Sequence, residues 1–206
     1  MYEVIATGSK GNCIIYHGTI AVDMGIPYAQ VSHKVNDLQI VLLTHIHGDH
    51  FNLATIKRLS FERPALRFVC GEFLADKLEG VRNVDVVEAG KIYNYGSFKI
   101  SPIVLYHNVK NFGYRIFKGE TKILHATDTA HLEGITAKGY DLYAIEHNWN
   151  EDTAPLILAE KQLKGEFSHI KGAMNSHLSE QQAREFIFKN KSEHSQILRL
   201  HESKST

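Results

Sequence analysis

The chain has 206 residues, of which 43% are hydrophobic and 22% are charged. This balance is that of an ordinary globular protein, and the length suits one core, so residues 1–206 are predicted to form a single domain. Lys plus Arg and Asp plus Glu both number 23. This neutrality excludes a strongly basic nucleic-acid-binding chain, but it does not exclude a local basic patch.

The apolar patterning predicts two groups of strands, each with helices attached. In chain order, strands are predicted at residues 2–5, 13–16, 19–23, 40–43, 66–70, 84–87, 98–105, 112–117, 122–125, 140–146 and 196–200. Helices are predicted near residues 28–35, from residue 52 onward, at 72–78, and after a capping box formed by Ser179 and Gln182. Helices packed outside two facing sheets would give a four-layer αββα sandwich, a mixed α/β (α+β) fold.

The two cysteines, Cys13 and Cys70, are too few for a disulfide framework. Both lie in apolar stretches, where we expect small buried thiols. No apolar run approaches a membrane-spanning length, and the first residues show no basic segment leading into an apolar one. We therefore expect a cytoplasmic protein that has no membrane partner.

A cluster of metal-ligand side chains follows the strand predicted at residues 40–43. It consists of His45, His47, Asp49 and His50, in a chain that has 13 histidines in all. Imidazole and carboxylate groups together suit Zn(II), Mn(II) or Fe(II), and a loop at the end of a buried strand can hold them rigidly. Gly48 allows the chain to turn, so the cluster can face two ions.

This segment resembles the His-x-His-x-Asp-His signature of the metallo-β-lactamase superfamily, whose fold is an αββα sandwich with metals at one edge. Further segments resemble the family's later motifs in the same order, namely Ala21–Gly25, Tyr106–His107 and Ala126–Thr129. The resemblance implies two divalent ions, zinc or manganese, with iron as the alternative. It also implies that Asp23 supports the ligands from behind.

The resemblance also implies how the ligands divide between the ions. One ion would take His45, His47 and His107. The other would take Asp49, His50 and a late histidine, with Asp128 bridging both ions.

The residues themselves leave two candidates for that late histidine. His177 precedes the capped helix, and His201 ends the last strand in His201-Glu202-Ser203. The chain most resembles the YycJ/WalJ-type nuclease branch, with late histidines like those of tRNase Z. That resemblance assigns His201 to the metal, makes His177 a proton donor, and makes Glu146 the group that orients His177.

A glycine-rich loop containing Gly8, Ser9, Gly11 and Asn12 joins the first two strands. Such loops can cradle a phosphate with their backbone N–H groups, although an ordinary turn is the commoner explanation. The Gly-Ser-x-Gly-Asn pattern resembles the opening of YycJ-like proteins. We therefore expect the loop either to support the metal ligands from behind or to hold a phosphate.

These features lead to the hypothesis of a dinuclear metal-dependent hydrolase that cleaves phosphodiester bonds in DNA or RNA. A metal-bridging hydroxide, positioned by Asp49, would attack phosphorus, and His177 would protonate the leaving oxygen. Nucleic acid is then the expected partner. The alternatives are hydrolysis of a small phosphodiester, lactone or thioester, and a non-catalytic metal-binding module. A redox variant would need iron and a flavin-binding partner, which nothing in the sequence indicates.

Overall fold

The computed structural model describes residues 1–202, so Ser203 lies outside the described residues. The chain divides into two compact units, residues 1–91 and residues 92–206. Each unit contains one six-stranded sheet. The prediction of a single domain over residues 1–206 stays a prediction.

The first unit is built on a sheet that is antiparallel at one side and parallel at the other, in the order β1-β2-β3-β4-β5-β6. Its strands are β1 (Tyr2–Ala6), β2 (Cys13–Tyr16), β3 (Ile20–Val22), β4 (Ile40–Leu42), β5 (Arg67–Gly71) and β6 (Val84–Val87). Its helices are α1 (Tyr28–Val31), α2 (Leu53–Glu62) and α3 (Glu72–Ala75), with short 3-10 turns at Ser32–Lys34 and Asp76–Leu78. Because β3 and β4 run parallel, the residues that follow them meet at one sheet edge.

The second unit has the sheet order β12-β11-β10-β9-β8-β7. Its strands are β7 (Tyr93–Asn94), β8 (Lys99–Tyr106), β9 (Lys110–Lys118), β10 (Thr121–Ala126), β11 (Leu142–Glu146) and β12 (Gln196–Leu200). Its helices are α4 (Ala154–Leu163), α5 (Ile170–Ser176) and α6 (Glu180–Asn190). Strands β10, β11 and β12 are parallel, and β8 runs in the same direction because both β8 and β10 are antiparallel to β9. All four strands therefore end at the same sheet edge.

The predicted elements agree closely with the observed ones. Strand β4 is buried along its whole length, as its continuous apolar run predicts. Helix α2 begins after Asn52, whose side chain accepts a hydrogen bond from the backbone N–H of Thr55, and α6 begins with the predicted capping box. The pattern did not predict β7, α4 or α5. Within residues 1–202, no helix has both the length and the apolar character needed to cross a membrane.

We expect both cysteines to resist a thiol reagent in the folded protein at neutral pH. The thiolate is the reactive form, and burial raises the pKa of Cys70 to about 11 and that of Cys13 further still. Titration with a chromogenic disulfide should detect both thiols only after unfolding in guanidinium. Rapid release of chromophore from the native protein would contradict the buried placement of these side chains.

Candidate functional site

In the first unit, the turn after β4 brings the imidazoles of His45 and His47 together. Nε2 of His45 lies 3.1 Å from Nδ1 of His47, and the two rings meet edge to face with centroids 4.8 Å apart. His45 is buried, and its Nδ1 lies 2.9 Å from the Thr44 hydroxyl, which fixes the orientation of the ring. Two imidazole nitrogens this close together suit a shared divalent cation.

Asp23, which follows β3, supports this turn from the neighbouring strand. Its buried carboxylate accepts hydrogen bonds from the Thr44 backbone N–H and hydroxyl, each at 2.9 Å, and lies 2.6 Å from Nδ1 of His50. Because an ionised carboxylate only accepts hydrogen bonds, the proton of His50 is placed on Nδ1, and Nε2 is left as a possible metal ligand. Burial raises the pKa of Asp23, while His50 and Thr44 act in the opposite direction.

Asn12, at the end of the glycine-rich loop, contacts the same turn. Its backbone N–H donates to the Asp49 carbonyl at 2.7 Å, and its buried side-chain amide lies 2.8 Å from Nε2 of His50. The amide oxygen accepts from the Gly8 N–H at 2.8 Å, which fixes the orientation of the amide group. A metal ion on Nε2 of His50 therefore has to displace the contact with Asn12.

The other residues of the glycine-rich loop help to decide whether this loop supports the candidate metal ligands or holds a phosphate. The Gly11 N–H donates to the Gly8 carbonyl at 3.0 Å, and Ser9 is exposed. The N–H groups of Gly8, Gly11 and Asn12 are thus used within the protein, whereas a phosphate cradle needs such groups to point at the ligand. These contacts favour the first alternative, in which the loop supports the turn that carries His45, His47, Asp49 and His50. We call this turn the ligand turn.

Gly25 packs against the ligand turn more closely than any side chain would allow. A Cβ atom at this position would lie 1.8 Å from the Asp49 carbonyl oxygen and 2.4 Å from the His50 nitrogen. Gly25 also donates its N–H to the Asn12 carbonyl at 3.0 Å. Gly25 has no predicted role of its own, because backbone packing of this kind leaves no periodic signal in a sequence.

In the second unit, four candidate ligands gather at the edge where the parallel strands end. Asp128 follows β10, Glu146 ends β11, His201 follows β12, and His177 precedes α6. One ligand atom from each of the four lies within 4.8 Å of the others, and all but His177 are buried. Residues separated by long stretches of sequence thus form one compact cluster of imidazole and carboxylate groups.

Glu146 organises this cluster. Its carboxylate accepts hydrogen bonds from the backbone N–H groups of Thr129 at 2.6 Å and Leu178 at 3.1 Å, and it lies 2.9 Å from Nδ1 of His177. Burial raises the pKa of Glu146. Burial lowers the pKa of His177, but its hydrogen bonds to Asp128 and Glu146 outweigh this and raise that pKa to about 10. Glu146 and His177 are therefore in contact, while the predicted orienting role of Glu146 stays a prediction.

His201 is held by Asn148, which is not among the predicted site residues. The buried side-chain amide of Asn148 lies 2.9 Å from Nδ1 of His201 and donates to the His201 carbonyl at 3.2 Å. Nε2 of His201 lies 3.6 Å from a carboxylate oxygen of Asp128. Asn148 and His201 are 53 residues apart in the chain, so only the folded structure shows their contact.

His107 lies beside His177, directly after β8. The two rings meet edge to face with centroids 4.9 Å apart, and Nδ1 of His107 lies 2.8 Å from the Ser176 carbonyl. Because a carbonyl only accepts hydrogen bonds, the proton of His107 is on Nδ1 and Nε2 is left as a possible metal ligand. His107 therefore lies at the same sheet edge as the four-residue cluster.

Three of the candidate residues have an unusual backbone conformation. Asp23, Asp128 and His201 have φ angles of 61°, 54° and 46°. This left-handed region costs an L-residue with a Cβ atom about 1–2 kcal/mol. Such conformations persist where the surrounding structure imposes them, and they are common at functional sites.

The donor chemistry of both groups fits divalent metal ions. Each group offers imidazole nitrogens and carboxylate oxygens, which suit Zn(II), Mn(II) or Fe(II). In each group, hydrogen bonds from neighbouring residues orient the ligands, as is usual around protein metal sites. The predicted division of ligands between two ions combines residues of both units and stays a prediction.

Comparison with known proteins identifies the class to which this architecture belongs. Residues 23–193 match the family model of the beta-lactamase superfamily domain, and the chain belongs to this family. It superimposes on the metallo-β-lactamase fold protein YhfI from Bacillus subtilis with a TM-score of 0.72 at 17% identity, over 98% of this chain and 85% of that one. The predicted family and fold class are confirmed.

Two curated relatives are similar in sequence. Exodeoxyribonuclease WalJ of Streptococcus pneumoniae is 25% identical over 169 residues, which cover 71% of this chain and 62% of WalJ. Ribonuclease Z of Thermosynechococcus vestitus is 26% identical over 102 residues, which cover 42% of this chain and 25% of that protein. The chain thus spans less than two thirds of the length of either relative.

Proposed function

We propose that the chain is a metal-dependent hydrolase of phosphodiester bonds in nucleic acid and uses two divalent ions. The observation that carries the proposal is the cluster of Asp128, Glu146, His177 and His201. It combines metal-ligand groups with an oriented histidine that can serve as an acid. The similarity to WalJ and to ribonuclease Z supports nucleic acid as the substrate class.

The ligand sets follow from the family resemblance. His45, His47 and His107 would hold one ion, and Asp49, His50 and His201 would hold the other, with Asp128 shared. When bound, the two ions would supply a nucleophile from water at neutral pH and would stabilise charge on the phosphate oxygens. Cytoplasmic location is part of the same proposal.

The protein's own residues position the reacting groups. Asp49 would orient the attacking water, and Asp23 and Asn12 would hold Asp49 and His50 in place through the contacts described above. His177 would protonate the leaving oxygen from Nε2, because its Nδ1 is directed at Glu146. General acid catalysis of this kind typically contributes about 10²–10⁴-fold to the rate.

The test is cleavage of labelled single- and double-stranded DNA and RNA by the purified protein with Mn(II) and with Zn(II). We expect cleavage by the wild type, loss of cleavage in Asp49→Asn, and full cleavage in Asp37→Asn, which changes an exposed aspartate in the same unit. No cleavage beyond the Asp49→Asn level would sink the proposal. Turnover of a small phosphodiester, lactone or thioester alone would favour the alternative hydrolase.

Metal content distinguishes the roles of the two late histidines. We expect about two ions per chain in the wild type, a loss of about one ion in His201→Ala, and no loss in His177→Ala. Elemental analysis after gel filtration measures this directly. An unchanged metal content in His201→Ala together with a loss in His177→Ala would reverse the two assignments.

A further inference from the structure

Tyr106, the last residue of β8, presents an aromatic ring at the surface of the second unit. Its side chain is 49% exposed, although tyrosine rings usually bury most of their area. Against it lies the ring of His131, with centroids 4.1 Å apart and planes inclined by 25°. The two rings form a stacked pair, and Tyr106 still has about half of its area exposed to solvent.

Hydrogen bonds hold this pair in place. The Thr129 hydroxyl accepts from the Tyr106 N–H at 3.0 Å and donates to the His131 carbonyl at 2.9 Å. The Ala130 N–H donates to the Tyr106 carbonyl at 2.7 Å. Because the backbone beneath both rings is fixed, a ligand that stacks on Tyr106 loses little free energy to ordering the ring.

A hydrogen bond connects the backbone beneath the ring pair to Glu146 of the four-residue cluster. Thr129, which bridges the two backbones, also donates its N–H to Glu146 at 2.6 Å. Tyr106 directly precedes His107, so the two residues have Cα atoms about 3.8 Å apart. A ligand group held at His107 and a second group stacked on Tyr106 would therefore belong to neighbouring parts of one molecule.

The ammonium group of Lys110 lies on the strand next to Tyr106. Exposed Lys110 is the antiparallel cross-strand partner of Tyr106 in the register of β8 and β9. Directly opposed residues point to the same face of a sheet, with Cβ atoms about 4.5–5.5 Å apart. An aromatic face next to an ammonium group is complementary to a nucleotide, which has a flat base and an anionic phosphate.

We propose that Tyr106, supported by His131 and flanked by Lys110, is a stacking platform for an unpaired nucleobase. This inference rests on the proposed function and narrows its substrate to single-stranded nucleic acid, or to a duplex that has an unpaired end. A base inside a duplex is already stacked on both faces and cannot occupy the platform. DNA and RNA share the base chemistry, so the platform by itself accepts either.

The test is fluorescence anisotropy with labelled single-stranded DNA and RNA in an Asp49→Asn background, which prevents cleavage. We expect Tyr106→Ala to raise Kd about tenfold, because it removes the aromatic side chain on which one base stacks. Tyr106→Phe keeps the ring and should stay within about twofold of the parent. Phe188→Ala removes a ring that is 80% exposed on α6 and should leave Kd unchanged.

A second readout reports stacking itself. An oligonucleotide carrying 2-aminopurine at its unpaired end should lose fluorescence on binding the parent and Tyr106→Phe, but not on binding Tyr106→Ala. Lys110→Ala should reduce the slope of log Kd against log salt by about 0.7, the value for one phosphate contact on a single strand. Lys99→Ala, at the other end of β8, should leave that slope unchanged.

Failure of this inference can be distinguished from failure of the proposed function. Unchanged affinity and quenching in Tyr106→Ala would overturn the platform, even if the wild type cleaves nucleic acid. Absence of oligonucleotide binding, or equal binding of a blunt duplex, would overturn it as well. Ring-dependent binding and quenching without cleavage by the wild type would sustain the platform and overturn the proposed nuclease.

Discussion

Gly25→Ala is expected to abolish most of the activity by displacing the ligand turn. The added Cβ would meet the Asp49 carbonyl oxygen at 1.8 Å and the His50 nitrogen at 2.4 Å. Both are backbone atoms, so no change of side-chain rotamer relieves the overlap. We expect kcat/KM to fall by more than about 10²-fold, because small misplacements of catalytic groups have effects of that size. Overpacking also costs about 1–3 kcal/mol in the free energy of unfolding.

Two further glycines provide controls for this prediction. An added Cβ meets nothing within 4 Å at Gly48, which lies in the ligand turn itself, or at Gly172, which lies in α5. Gly48→Ala should therefore reduce activity far less than Gly25→Ala, and Gly172→Ala should not reduce it at all. Activity and thermal unfolding are measured for all three variants. Wild-type activity in Gly25→Ala would show that the turn can move without loss of function.

Glu146→Gln is expected to lower kcat by about 10²-fold on a substrate with a poor leaving group, such as an oligonucleotide. The neutral amide keeps an oxygen for the backbone N–H groups of Thr129 and Leu178, but it no longer provides a carboxylate for His177. His177 would then lose the group that orients it and favours its charged form. Glutamine is the informative replacement because alanine would leave two buried N–H groups without an acceptor, at about 1–3 kcal/mol each.

Substrates with different leaving groups distinguish a positioning role of Glu146 from a purely structural one. A nitrophenolate leaves without protonation, so Glu146→Gln and His177→Ala should retain most of their activity on a nitrophenyl phosphodiester. A general loss of structure would lower both activities equally. Glu193→Gln, an exposed substitution in the same unit, provides the matched control. Equal losses on both substrates would contradict the proton-donor assignment of His177.

The sequence predicted most of the fold because local patterns determine most of it. The buried strand β4, the start of α2 near Asn52 and the capping box of α6 each depend on neighbouring residues, and the structure has all three. Helix α4 was not predicted because its apolar residues do not form one buried face. Among its residues only Ala154 is buried, while Leu156 and Leu163 are 70% and 90% exposed.

The supporting contacts of the site were less predictable, since they join distant parts of the chain. Asn148 and His201 are separated by 53 residues, and Asn12 and His50 by 38. Asparagine is also common in ordinary turns, so its presence at position 148 carries no distinct signal. The candidate ligands themselves were recognisable because their order along the chain resembles that of a known family. The contacts that orient them required the folded structure.

The left-handed backbone at Asp23, Asp128 and His201 restricts how these positions can vary in evolution. A residue that replaces one of these three has to adopt a positive φ angle, whatever the chemistry of its side chain. Glycine and asparagine meet this condition, whereas alanine and β-branched residues do not. Lineages that lose the catalytic chemistry should therefore pass through glycine or asparagine at these positions. Such relatives would keep the fold after they had lost the activity.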